Sequence, residues 1–113
     1  MPFIATTTNL KISPETEQLL KQKLGQAIAL IPGKTEDWLM LSFQAEMPMY
    51  FQGNAAPALY ADVRLFGSAN PQNYNKMTAE LTKIYAEALD ILPSRIYVTY
   101  AEVSHWGWNG RNF

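Results

Sequence analysis

At 113 residues, with 48% hydrophobic and 17% charged side chains, the chain has room for one modest core and none for a second. Its net charge of −1 argues against nucleic acid, where a basic face supplies most of the affinity. The absence of cysteine removes disulfides and thiol nucleophiles, and a single histidine, His105, argues against a zinc site or a Ser-His-Asp triad.

The opening Met-Pro-Phe-Ile-Ala-Thr lacks the basic head and apolar run of a signal peptide. No apolar stretch reaches membrane length. The expectation is one cytoplasmic domain over residues 1–113, with export by a route that needs no signal peptide left open. Residues 3 to 8 are β-branched and aromatic and predict a short strand. Ser13-Pro14-Glu15 then reads as a helix start: a capping hydroxyl, proline at the first helical position, an acid in the first turn. Leu20, Leu24, Ala27, Ile28 and Ile31 follow at spacings of three and four, one apolar stripe that Pro32-Gly33 ends. From Trp38 to Glu46 the pattern alternates, with Leu39, Leu41, Phe43 and Ala45 on one face of a predicted strand.

The second half repeats this plan. Leu59, Ala61, Val63 and Leu65 alternate with Tyr60, Asp62 and Arg64, a third strand. Asn70-Pro71 opens a second helix carrying Tyr74, Met77, Leu81, Ile84 and Ala88, and after Pro93 a fourth strand runs from Ile96 to Tyr100. Ser13-Pro14 echoes in Asn70-Pro71, and Pro32-Gly33-Lys34 echoes in Pro93-Ser94-Arg95. The fold expected is therefore α/β, of the α+β kind: a duplicated β-α-β unit forming a four-stranded mixed sheet. The right-handed crossover rule puts both helices on one face. The opposite face is left for something else to bury, and self-assembly is the simplest cover. Between the halves, residues 47 to 57 are apolar and proline-bounded. They read equally as core packing under a neighbouring element or as a subunit contact.

Pro2, directly after the initiator methionine, is the residue with chemical promise. A small second residue permits removal of Met1, which would leave a secondary amine. An α-amino group titrates near ~8, and burial or a nearby cation lowers it. Neutral near pH 7, it would act as a base or nucleophile. By pattern alone Pro2 reads rather as a proline tolerated at the start of a strand.

The whole chain resembles the macrophage migration inhibitory factor family of the tautomerase superfamily. The resemblance rests on Met1-Pro2-Phe3-Ile4, Pro32-Gly33-Lys34, Pro57-Ala58-Leu59, Phe66-Gly67, the run Pro93-Ser94-Arg95-Ile96-Tyr97-Val98-Thr99-Tyr100, and a closing Gly107-Trp108-Asn109 with Phe113, all in order. It implies a homotrimer with active sites between subunits and the amino-terminal proline as base. It further implies keto–enol tautomerisation of phenylpyruvate-type acids and isomerisation of dopachrome, with no cofactor and no metal. Carried over by position, Pro2 matches the catalytic proline and Lys34 the lysine that holds the substrate carboxylate. Tyr97 matches a tyrosine reaching in from the adjacent subunit. Trp38, Phe66, Trp106, Trp108 and Phe113 fall at or near the aromatic pocket. Without the resemblance, Lys34 reads as a solvated lysine, Tyr97 as a sheet aromatic and the other rings as core.

Four departures from the family pattern stand out. Thr99 replaces an asparagine of the mammalian cytokine, and Trp106 replaces a valine, which reshapes the pocket mouth. Ala58 and Ala61 fill the places of its Cys-x-x-Cys, so thiol oxidoreductase behaviour does not carry over. The segment between Gly67 and Tyr74 is also shorter. No role is assigned to His105. The function expected is a tautomerase acting on a small aromatic keto acid, with no nucleic-acid or membrane partner. The main rival is a cytokine-like signalling or receptor-binding trimer with a vestigial pocket. Hydration or dehalogenation of an unsaturated acid is a lesser rival, since only Arg64, Arg95 and Arg111 are available to it.

Overall fold

Both helix starts read from the sequence stand in the computed structural model, which describes residues 1–113. Helix α1 spans Pro14–Ala27, with Ser13 Oγ accepting from the Thr16 N–H at 3.1 Å. Helix α2 spans Pro71–Leu89, with Asn70 Oδ1 accepting from the Asn73 N–H at 2.8 Å. In each, a polar side chain satisfies an amide that the first turn leaves without an intrahelical partner. The first apolar stripe outlasts its helix. α1 stops at Ala27, and a 3₁₀ turn over Ile28–Leu30 carries Ile28 and Ile31 into the same buried row as Leu20 and Leu24.

Strands β1 (Pro2–Thr8), β2 (Met40–Gln44), β3 (Leu59–Phe66) and β4 (Ile96–Val103) form one sheet in the order β2-β1-β3-β4. β1 and β2 are parallel, as are β3 and β4, and the two halves meet antiparallel through β1 and β3. This is the duplicated β-α-β plan. Ile4, Thr6 and Thr8 alternate with half-buried neighbours, and Ala61, Val63 and Leu65 with half-buried or exposed ones, so one sheet face meets the helices. There Leu20, Leu24, Met77, Leu81 and Ile84 close the core. Each such side chain contributes about 1.5–3 kcal/mol by leaving water. Thr6 Oγ1 and Tyr85 Oη share a 2.6 Å hydrogen bond at its centre. Burial pushes the Tyr85 phenol well above its ordinary range. The other face carries Tyr60, Asp62, Arg64, Tyr97 and Thr99 and is uncovered within the chain.

Three expectations need correction. The second strand is shorter than 38–46, because its length is set by pairing with β1, from Phe3↔Met40 to Thr7↔Gln44. Trp38 instead ends a 3₁₀ turn over Glu36–Trp38. The fourth strand runs past Tyr100 to Val103, following β3 as far as Phe66↔Val103. Residues 47 to 57 do not pack in the core of their own chain, where only Met49 and Phe51 reach half-burial. Their carbonyls need donors, and Arg95 and Asn9 reach up from beneath to supply them.

A hairpin of β5 (Gly107–Trp108) and β6 (Arg111–Asn112) follows the sheet. Asn109 (φ 53°) and Gly110 (φ 87°) turn it, the left-handed pair that a tight two-residue loop requires. No helix is long and apolar enough to cross a membrane.

Candidate active site

Pairing of Pro2 with Leu65 carries the chain start to the end of β3, beside Phe66. The Phe66 N–H donates to the Met1 carbonyl at 3.0 Å. The Phe66 carbonyl in turn accepts from Lys34 Nζ at 2.8 Å. Lys34 follows the Pro32-Gly33 stop, and its own N–H bonds the carbonyl of Ile31, so the backbone beneath the ammonium is fixed. Terminal amine and lysine thus converge on one residue. Burial pushes the Met1 ammonium below its ordinary value; the charge of Lys34 and a hydrogen bond from it push the same way.

Against the chain start lies a cleft of ≈ 590 Å³ whose walls include Met1, Pro2, Trp38, Met40, Trp106 and Trp108. Trp38 and Trp108 meet edge to face at 5.0 Å between ring centres. Trp108 stacks on Phe113 at 6.2 Å, and Phe113 reaches Phe66 at 5.7 Å. The Phe113 N–H bonds the Trp106 carbonyl at 3.1 Å, which ties the last residue to the wall. Such rings prefer offset and edge contacts, and an arc of them offers an aryl group several faces. The alternative of core packing does not hold for Trp38, Trp108 and Phe113, each about half exposed.

The fold therefore gathers Pro2, Lys34, Trp38, Phe66, Trp106, Trp108 and Phe113. It does not bring Tyr97 to them. Tyr97 stands opposite Tyr60, five residues along β3 from Leu65, about 17 Å at the usual strand rise. It is 61% exposed and packs edge to face on Phe51 at 4.8 Å. His105 is exposed and apart from the cleft walls. Four lining residues, Asp37, Leu39, Met40 and Gly107, were not among the site residues read from the sequence. Asp37 and Met40 flank Trp38 and Leu39 in the wall, and the acidic Glu36-Asp37 pair was the available sign that a turn stood there. Chemically the cleft and its margin offer an amine with a depressed affinity for protons, a cation beside it at Phe66 and an aromatic wall.

Comparison with known proteins bears on the fold and the family. The sequence model described as Macrophage migration inhibitory factor (MIF) matches residues 1–113. The chain is 30% identical over 118 residues to the macrophage migration inhibitory factor of Meriones unguiculatus, covering all of this chain and 99% of that one. It is 28% identical over 113 residues to D-dopachrome decarboxylase-B of Xenopus laevis, covering 97% and 95%. Among solved structures, Leishmania major MIF2 superposes with a TM-score of 0.94 at 34% identity over 100% of this chain and 97% of that one. The homologue from Prochlorococcus marinus gives 0.84 at 28% identity, with 98% of each chain covered. A match along the whole sequence and a shared fold lead to one statement: the chain belongs to the macrophage migration inhibitory factor family.

Proposed function

We propose that this protein is a keto–enol tautomerase for small aromatic keto acids, of phenylpyruvate and dopachrome type, with the Pro2 nitrogen as its base. The observation that carries the reading is the convergence of chain terminus and Lys34 on Phe66, with the terminus also lining an aromatic cleft. With Met1 attached, the Pro2 nitrogen is an amide and has no basic lone pair. Removal of Met1 turns it into a secondary amine in the surroundings that disfavour the Met1 ammonium, burial and the Lys34 charge. Neutral Pro2 then takes a proton from the carbon beside the ketone and returns it to the enol oxygen or to another carbon.

The Met1 carbonyl also marks where an acceptor oxygen sits when held close to Pro2. Once Met1 is gone, the Phe66 N–H is free to donate to a substrate oxygen as charge develops there. Lys34 pairs with the substrate carboxylate. Trp38, Trp106, Trp108 and Phe113 receive the aryl ring. Tyr97 serves a neighbour's cleft, so the proposal includes a homotrimer. Its separation from Pro2 within one chain supports that part.

The test is a pH–rate profile for phenylpyruvate on protein shown by mass to lack Met1. kcat/KM rises with pH and levels off near neutrality, and acetylation of the terminus abolishes it. A flat profile across roughly pH 5 to 9, or activity that survives acetylation, removes Pro2 as base and leaves the signalling or binding trimer with an idle pocket.

A further inference from the structure

Arg95 is buried, at 7% exposure, yet its partners are not carboxylates. The ion pairs of the molecule are Lys21–Glu36 and Arg64–Asp62. Arg95 instead spends its donors on backbone oxygens of one turn. Nε reaches the Pro57 carbonyl at 2.8 Å, Nη1 that of Phe51 at 3.1 Å, and Nη2 those of Ala56 at 3.0 Å and Asn54 at 3.3 Å. The guanidinium carbon also lies 5.2 Å from the centre of the Phe51 ring. A planar fork of five N–H groups suits this work, and a lysine ammonium, a point charge, does not.

Burying a cation is costly unless its hydrogen bonds are met, and a cost borne for a surface turn asks what the turn does. Its first residue, Phe51, sets its ring edge-on to Tyr97 at 4.8 Å and 74°. Tyr97 is two residues beyond Arg95 and on the uncovered sheet face, opposite Tyr60 of β3 and 61% exposed. On the near side an apolar cavity of ≈ 140 Å³ opens between Phe51, Tyr60 and Tyr97, so the ring has room to tilt.

We propose that Arg95 and Phe51 form a positioning clamp for Tyr97: the guanidinium locks the turn from Phe51 to Pro57, and Phe51 holds the tyrosine ring at the angle it needs outside its own chain. Neither residue touches the proton transfer. The clamp's kinetic consequence rests on the tautomerase reading above, and its geometric consequence does not.

Two measurements decide it. In the kinetic arm, Phe51→Leu keeps volume and removes the ring edge. With phenylpyruvate it lowers kcat/KM about ten-fold in the native background, as small misplacements of a working group do. In a Tyr97→Ala background the same change costs less than about two-fold, because the residue it acts through is gone. Phe51→Tyr restores most of the loss. In the second arm, 3-fluorotyrosine is placed at position 97 alone and its ¹⁹F resonance is followed. One displaced, sharp line in the native protein collapses toward the free-tyrosine position in Phe51→Leu and in Arg95→Lys, while a label at Tyr85 stays put. Equal losses in both kinetic backgrounds, or an unmoved ¹⁹F line in folded Phe51→Leu, overturns the clamp. A protein without Pro2-dependent turnover would sink the tautomerase reading, and the ¹⁹F arm would then judge the clamp alone.

Discussion

Lys34 donates to the carbonyl of Phe66 at 2.8 Å, and this single bond sets how close a positive charge stands to the start of the chain. The terminal ammonium is disfavoured first by burial and second by that charge. In protein that retains Met1, the amine therefore titrates below 8.0, and Lys34→Ala moves it part of the way back, since burial remains. ¹⁵N-detected titration of the terminus measures both. The sign for stability follows. The folded amine binds protons less readily than the unfolded one, so its contribution improves as pH rises through the window ending at the unfolded value. A terminus that titrates at or above 8.0 contradicts the account.

Removing Met1 moves the same physics onto Pro2. Lys34→Ala then shifts the rising limb of kcat/KM to higher pH and raises KM for phenylpyruvate, because one cation performs both tasks. A variant with raised KM and an unmoved limb would show that Lys34 only binds the carboxylate.

Pro2 and Tyr97 lie at opposite ends of the sheet's central pairing, so each is expected to serve a different cleft. Refolding equal amounts of Pro2→Gly and Tyr97→Ala chains together should restore about a quarter of the sites if subunits mix at random in a cyclic trimer. Each parent must first be well below the native protein. Mixtures no more active than the parents would place Tyr97 outside the catalytic arrangement.

The stacked wall makes a binding prediction. Trp38 and Trp108 meet edge to face, so a ligand ring entering the cleft disturbs the tryptophan emission of the unliganded protein. Trp38→Ala weakens binding of an aryl keto acid roughly ten-fold, the loss of one aromatic face and its buried area, and leaves the pH limb in place. Fluorescence titration and the pH profile check the two halves of that statement.

In the core, Tyr85→Phe strands the Thr6 hydroxyl that it met at 2.6 Å. The cost is about 1–3 kcal/mol in urea unfolding, and adding Thr6→Val recovers part of it by removing the stranded group. Additive losses in the double variant would show that packing, not the hydrogen bond, sets the value.

The helices were legible because their starts are chemical: Ser13 and Asn70 each have a side-chain oxygen that caps, followed by proline. The long strands were legible by alternation. Pro2, Lys34 and the aromatic wall were reached through the family resemblance, and their grouping is visible only in space. The hairpin escaped because two-residue strands have no periodicity, although Asn109-Gly110 is the dipeptide that such a turn selects. Trp38 was misplaced because its alternation with the strand ran through a turn. The clamp at Arg95 left no trace, since backbone carbonyls have no sequence.

The two halves of the sheet are near copies, and their cations have parted ways. Pro32-Gly33-Lys34 echoes in Pro93-Ser94-Arg95, which puts Lys34 and Arg95 at corresponding places of the two halves, and both bind backbone carbonyls. The mate of Pro2, by the offset that joins Ser13-Pro14 to Asn70-Pro71, is Leu59. Leu59 is buried in mid-chain, and its nitrogen is locked in a peptide bond to Ala58. The repeated plan doubles strand, helix and strand, but only one half carries the amine that lies beside Lys34. In the first half Lys34 stands beside that amine and bonds the Phe66 carbonyl. In the second half Arg95 binds four carbonyls and fastens a loop.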